Sequence, residues 1–167
     1  ILVRIGFRIL KGEILTIARY GVWSYHHGDN KKNRGGPPGF WETVYNWDVT
    51  GCILQILNET LDGGIVIYRS YSRTDKVSVE RNKNNYFWKS ASFLSRAIRR
   101  LHLLGEEEFF EQVKSINNGL DFYSGKIFKT PKNLHALYVV AKQAYKIIGW
   151  AISKILFGIF IFNFFSI

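Results

Sequence analysis

The chain predicts an α/β fold with a mixed sheet, followed by an α-helical extension, and three observations carry that reading. Short β-type runs alternate with segments of helical spacing in the first half, and glycine-rich turns separate them. Two strand runs then follow each other with no helix between them, so the sheet needs antiparallel as well as parallel pairs. From about residue 82 onward the β pattern stops and apolar residues recur at helical steps.

In chain order, the strands are read at Ile1 to Ile5, Gly21 to Tyr25, Cys52 to Leu57 and Ile65 to Tyr68, and the first of them reads as buried. Helical spacing covers Lys11 to Arg19 and Pro38 to Trp47, where Phe40, Trp41, Tyr45 and Trp47 read as core rather than as a ligand platform. Asn82 to Asn85 reads as a turn or linker. Phe87, Ala91, Leu94, Ile98 and Leu101 then trace one helix face, and a second short helix spans Glu106 to Ile116. Thr130 as N-cap and Pro131 at the first helical position predict the start of a long last helix. The division that results is 1–81, 82–130 and 131–167.

Residues 147–167 are almost wholly apolar, with Lys154 and Asn163 as the strongly polar exceptions. About 20 apolar residues is the length that crosses a bilayer. The run is compatible with a helix packed on protein, with a helix lying at a membrane surface and with a spanning helix; Lys154 near its middle counts against spanning.

The composition of 167 residues, 47% hydrophobic and 22% charged, excludes disorder for most of the chain. A single cysteine, Cys52, excludes an internal disulfide framework, and it reads as a small buried hydrophobe. No His/Cys grouping has metal-site spacing, so no metal is expected. The chain contains no methionine and opens on a strand-like run, which predicts that it is the later part of a longer protein. No signal-peptide pattern is seen, and the expected location is cytoplasmic. The net charge of +10 is diffuse: +3 over 1–50, +5 over 51–105 and +2 over 106–167. Such a field attracts small anionic ligands and does not select nucleic acid, which is not expected as a partner.

Chemistry concentrates between residues 21 and 64. Ser24-Tyr25-His26-His27-Gly28-Asp29 ends a strand, where α/β folds place their ligands. Strand alternation puts Ser24 and His26 on one face and Tyr25 and His27 on the other, so one histidine of the pair looks into the cleft. Arg34-Gly35-Gly36-Pro37-Pro38-Gly39 then breaks the chain sharply, with Arg34 read as bracing the turn. Leu61-Asp62-Gly63-Gly64 places a carboxylate on a loop whose glycines let backbone approach a ligand.

These residues resemble the formyltransferase domain shared by methionyl-tRNA formyltransferase, glycinamide ribonucleotide formyltransferase and the amino-sugar N-formyltransferases. That domain carries Asn-x-His at a strand end, an Arg-Gly turn, a Thr-Gly leading into a strand, and Leu-Asp-x-Gly. Here His26, Arg34-Gly35, Thr50-Gly51 and Leu61-Asp62 fall on that pattern without a gap, His26 to Gly35 being nine residues, Gly35 to Gly51 sixteen and Gly51 to Asp62 eleven. Upstream, Ile5-Gly6-Phe7-Arg8-Ile9-Leu10 resembles the strand end and loop that hold the folate ring. The resemblance covers about residues 1 to 70. It implies the C-terminal part of a Rossmann-like domain lacking the family's first strands.

The departures are specific. The catalytic Asn of the family falls on Ser24, and the usual Ser-Leu-Leu-Pro is replaced by Gly28-Asp29-Asn30-Lys31. A register shifted by one would select His27 and put Tyr25 in the Asn place; the gap-free register selects His26. The resemblance implies formyl transfer from N10-formyltetrahydrofolate to an amine, a small molecule, with an amino sugar or nucleotide-sugar favoured because no oligonucleotide-binding barrel pattern follows Tyr71. His26, Asp62 and Ser24 are the implied catalytic residues. Gly6, Phe7, Ile9, Leu10, Asn58 and Asp62 are implied for the cofactor, and His27, Asp29 and Arg34 for the acceptor. A non-catalytic remnant, or a membrane-associated binding module using residues 147–167, is the alternative.

Overall fold

The central strands are those richest in buried apolar residues: β2 (Val22–His26) and β4 (Val49–Ile56). The structure, a computed structural model, describes residues 1–6, 8–118, 123 and 125–165, the side chains of 160–165 aside. Phe7, implied above for the cofactor, lies outside the described residues, as do residues 166 and 167 of the tail. Two compact units are present, Ile1–Lys129 and Thr130–Ile167.

In the first unit, β1 (Leu2–Arg4), β2, β4 and β5 (Ile65–Arg73) form a sheet in the order β1-β2-β4-β5. β1 pairs parallel with β2, whereas β2–β4 and β4–β5 are antiparallel, which is the mixed sheet expected. Two-residue strands β3 (Arg34–Gly35) and β6 (Ile127–Phe128) pair separately.

Alternation along β2 divides the unit. Trp23 and Tyr25 face α2 (Val79–Ser90), α3 (Phe93–Leu104) and α4 (Glu106–Asn117), in a core with Cys52, Leu54, Ile67, Tyr86, Phe93, Ala97, Phe109 and Val113. Ser24 and His26 face the opposite side, which is covered by the chain from Gly28 to the short helix α1 (Phe40–Val44). The first side is apolar and aromatic. The second holds most of the buried polar groups: Ser24, His26, Asp29, Asn30, Asn33, Glu42 and Gln55.

Several elements differ from expectation. Lys11 to Arg19 forms only a 3-10 turn, Gly12–Leu15. Gly12 has φ +73, outside the helical region, and Ile14 and Ile17 are exposed, so that Leu15 alone of this apolar run is buried and no continuous helix face meets the core. Asn82 to Asn85 is no linker but lies inside α2. Ser78 caps that helix, and the buried Asn82 amide donates to Gly39 O at 3.0 Å and Thr50 Oγ1 at 3.1 Å, so tertiary bonds outweigh weak helix propensity. The helix expected through Phe87 and Leu101 breaks at Ala91–Ser92 into α2 and α3. β1 is not buried: Leu2 and Val3 are 39% and 36% exposed, because β1 is the sheet's edge.

The second unit is one helix, α5 (Asn133–Phe165), which begins two residues beyond Pro131 rather than at it. Among the described residues no helix is long and apolar enough to cross a membrane.

Candidate active site

Three turns converge on the end of β2. His26 Nδ1 lies 3.3 Å from Asp62 Oδ1, and Asp62 Oδ2 accepts from Gly35 N at 2.8 Å. The three motif positions, far apart in sequence, are thus joined by one carboxylate. Asp62 sits at φ 50, in the left-handed region that aspartate tolerates better than most residues, and this turns the carboxylate back toward the sheet. Gly51 serves the same closure. A Cβ there would come 2.7 Å from the backbone of Asp29, so only glycine lets the Gly28–Asp29 turn lie against β4.

The His26 ring is 7% exposed, and its Nε2 bonds the carbonyl of Asn33 at 2.8 Å. Both ring nitrogens face oxygen acceptors. Burial alone would raise the pKa of Asp62, but the bond and charge of His26, the Gly35 amide and the charge of Arg4 together hold it below the usual carboxylate range. Asn33 Nδ2 in turn donates to Glu42 Oε1 at 2.8 Å. Glu42 is buried, which pushes its pKa up against the opposing bond from Asn33.

A small cleft of about 60 Å³ opens beside Asp62, lined by Arg4, Ile9, Leu10, Asn58 and the Leu57–Asp62 loop. Four of the positions implied for the cofactor, Ile9, Leu10, Asn58 and Asp62, are therefore brought together. Gly6 is not among the lining residues. Asn58 shapes the loop, its Oδ1 accepting from Thr60 N and its Nδ2 donating to Gly63 O, both at 2.9 Å. An apolar shelf rimmed by amide, guanidinium and carboxylate groups suits the edge of a polar heterocycle, yet pockets that enclose a ligand measure ~300–1,000 Å³. These residues thus make one wall of a ligand site rather than an enclosing pocket.

Ser24 is 1% exposed. Its Oγ accepts from Arg4 Nη1 at 3.2 Å and donates to the carbonyl of Tyr25 at 3.3 Å.

The residues implied for the acceptor are dispersed. His27 points to the helical side, stacked on Tyr86 with centroids 4.6 Å apart and with Nδ1 3.2 Å from Cys52 Sγ. It borders a separate open groove of about 370 Å³ with Ile5, Tyr25 and Phe87. Burial, and then the charge of His26, lower its pKa to about 4, while burial raises that of Cys52 to about 11. The pair is neutral. Asp29 is held by Arg69 at 2.6 Å, and Arg69 also donates to Asn30 Oδ1 at 2.6 Å, so this loop is clamped from β5. Arg34 donates through Nε to Asn30 O at 2.8 Å and lies over the Tyr123 ring, the bracing role read from sequence.

Sequence reasoning missed Arg4, Asn33, Glu42 and Arg69. Arg4 had a signal: a cation inside an otherwise apolar strand run, in register with Ser24.

No family model matches the chain. It is 29% identical over 108 residues to a methionyl-tRNA formyltransferase of Prochlorococcus marinus (strain AS9601), an alignment covering 65% of this chain and 32% of that protein. It is 22% identical over 165 residues to the methionyl-tRNA formyltransferase of strain MIT 9515, covering 83% and 47%. The chain thus spans a third to a half of these relatives' length. Among solved structures it is similar to glycinamide ribonucleotide transformylase 1 from Symbiobacterium toebii, with TM-score 0.51 and 18% identity over 55% of this chain and 44% of that one. In sequence the chain is thus similar to two methionyl-tRNA formyltransferases, and over the aligned part its mixed sheet and helices share the α/β fold of that transformylase.

Proposed function

We propose that this chain carries the catalytic face of an N-formyltransferase, which moves a formyl group from N10-formyltetrahydrofolate to the amine of a small molecule, an amino sugar or nucleotide-sugar. The observation that carries the reading is the His26–Asp62 pair, 3.3 Å apart, with Asp62 on the wall of the cleft formed by Ile9, Leu10 and Asn58. The relatives reported above are formyltransferases by name, and the diffuse charge of +10 suits an anionic donor and acceptor.

In this reaction the acceptor nitrogen bonds the formyl carbon, the bond from that carbon to N10 breaks, and one proton leaves the acceptor amine and ends on N10. The intermediate is tetrahedral and carries an oxyanion. Asp62 faces the cleft as a carboxylate and takes the hydrogen bond, then the proton, of the attacking amine. His26 stands behind it and supports the charge through Nδ1, its ring fixed by Asn33 O. The Gly35 amide holds the second Asp62 oxygen and so fixes the carboxylate plane. Ile9, Leu10 and Asn58 support the donor's ring.

The test is an assay of the full chain with N10-formyltetrahydrofolate and a panel of amines: nucleotide-linked amino sugars, free amino sugars, glycinamide ribonucleotide and methionyl-tRNA. Acceptor-dependent release of tetrahydrofolate, largest with a sugar, is expected. Turnover with methionyl-tRNA alone would overturn the acceptor, and no acceptor-dependent turnover would overturn the enzyme.

A further inference from the structure

The helix of the second unit combines one sign of charge with an uncovered apolar stripe. All 13 acidic residues of the chain lie before residue 122, and beyond that point Lys126, Lys129, Lys132, Lys142, Lys146 and Lys154 are the charged residues. Each residue turns an α-helix by about 100°, so Lys132, at the entry to α5, falls with Lys142 and Lys154 inside one sector of about 120°. All three are exposed. Opposite this sector runs a stripe of Leu134, Leu137, Ile148 and Ile155, each between 58% and 80% exposed. Val139, on the lysine side, is the buried residue of the helix, so the stripe is the side left open.

The aromatic residues fit the same division. Tyr138 and Tyr145, both exposed, fall on the border between sector and stripe. The Lys142 ammonium lies over the Tyr138 ring and that of Lys154 over Trp150, at 5.9 and 6.0 Å from the centroids. Long stems resting on amphipathic rings, with their charged heads held outward, suit a boundary between apolar matter and water. Whatever covers the stripe must be apolar in its depth and anionic at its surface. A second copy of α5 would set one purely cationic helix against another, whereas a bilayer with anionic headgroups offers both layers. From Lys132 to Lys154 the helix axis runs about 33 Å, longer than a hydrocarbon core of about 30 Å. The three cations therefore share one headgroup layer only when the helix lies along the surface.

We propose that α5 is a lipid-docking surface, which lies on an anionic bilayer with its leucine and isoleucine stripe in the acyl boundary and Lys132, Lys142 and Lys154 among the headgroups. The docking is independent of the formyl-transfer reading and needs no turnover to be seen.

Flotation of the full chain with lipid vesicles tests it. Vesicles of phosphatidylcholine with phosphatidylserine are expected to carry the protein upward roughly tenfold more effectively than phosphatidylcholine alone, and added salt should shrink that difference. A lysine near an anionic surface is worth about fivefold in affinity, so Lys142→Gln/Lys154→Gln should weaken binding to the anionic vesicles by about 25-fold. Leu137→Asp/Ile148→Asp should abolish flotation with either lipid while the thermal melt of the first unit is kept. Washing with alkaline carbonate should release the bound protein. Equal flotation with both lipids, or an undiminished affinity in the lysine variant, would overturn the recognition of anionic headgroups, and retention through carbonate would overturn the surface placement. Absence of flotation with either lipid would overturn the proposal, and a dimer in solution that Leu137→Asp/Ile148→Asp dissolves would then assign the stripe to a second copy of the chain.

Discussion

His26 and His27 are neighbours in sequence and opposites in surroundings. His26 faces two oxygen acceptors, Asp62 and the Asn33 carbonyl, next to a cleft. His27 lies between the Tyr86 ring at 4.6 Å and the Tyr25 ring at 5.8 Å, with a thiol at its Nδ1 and a pKa lowered to about 4. One strand, by alternation alone, sorts the same side chain into two settings: a ring bonded to two oxygen acceptors on the loop side and a neutral piece of core on the helical side. The difference teaches that the loop side pays in buried polar groups for what the helical side provides in apolar area.

The sharpest way to break this contrast is on the loop side. Asp62→Asn keeps an oxygen for the Gly35 amide but removes the charge that pairs with His26, and kcat is expected to fall by about 10²–10⁴, with a lowered melting temperature that still leaves the variant folded at the assay temperature. Steady-state kinetics beside a thermal melt checks this, and a variant that keeps its rate would show that the carboxylate only holds the turn. On the helical side the cost is stability. Trp23→Ala removes a fully buried ring stacked on Phe109 at 6.0 Å and should cost about 3–5 kcal/mol in a denaturant melt, with rate per folded molecule retained.

The acid limb of stability separates the histidines next. Because the folded pKa of His27 is about 4 against an ordinary 6.5, its contribution is complete above pH 6.5 and is lost as pH falls toward 4, by about 3 kcal/mol in all. His27→Phe should flatten the stability profile over that window. A profile unchanged by the substitution would mean that the ring is solvated. Asp62, whose folded pKa is depressed, adds stability that is present above the ordinary carboxylate range and disappears at still lower pH.

The smallest effect lies in α2, the helix that carries Tyr86 over His27. Ser78→Ala removes its N-cap bond to Arg81 N and should cost about 1 kcal/mol without touching kcat. A change in kcat beyond twofold would couple the two sides and contradict their independence.

Much of this contrast could be read from the residues. Alternation placed Ser24 and His26 together and His27 apart, and the spacing of His26, Gly35, Gly51 and Asp62 becomes, in three dimensions, one carboxylate bridging two turns with a glycine packed beneath. The helical region was harder. Asn82 sits in a helix because its amide finds Gly39 and Thr50, partners more than thirty residues away that no local pattern announces. The apolar run at Ile14 and Ile17 suggested a helix, but periodicity does not say whether a core exists for the face to meet. Arg4 was passed over because a strand was expected to be buried, whereas β1 is an edge that can hold a cation.

The central claim is that His26, and not His27, serves the reaction. Formylation rates of the full chain and its His26→Ala and His27→Phe variants, each confirmed folded at pH 7.5, test it in one assay. The account expects about 1% or less of the wild-type kcat in His26→Ala and a value within threefold of wild type in His27→Phe. Loss of activity in His27→Phe with His26→Ala intact would contradict it.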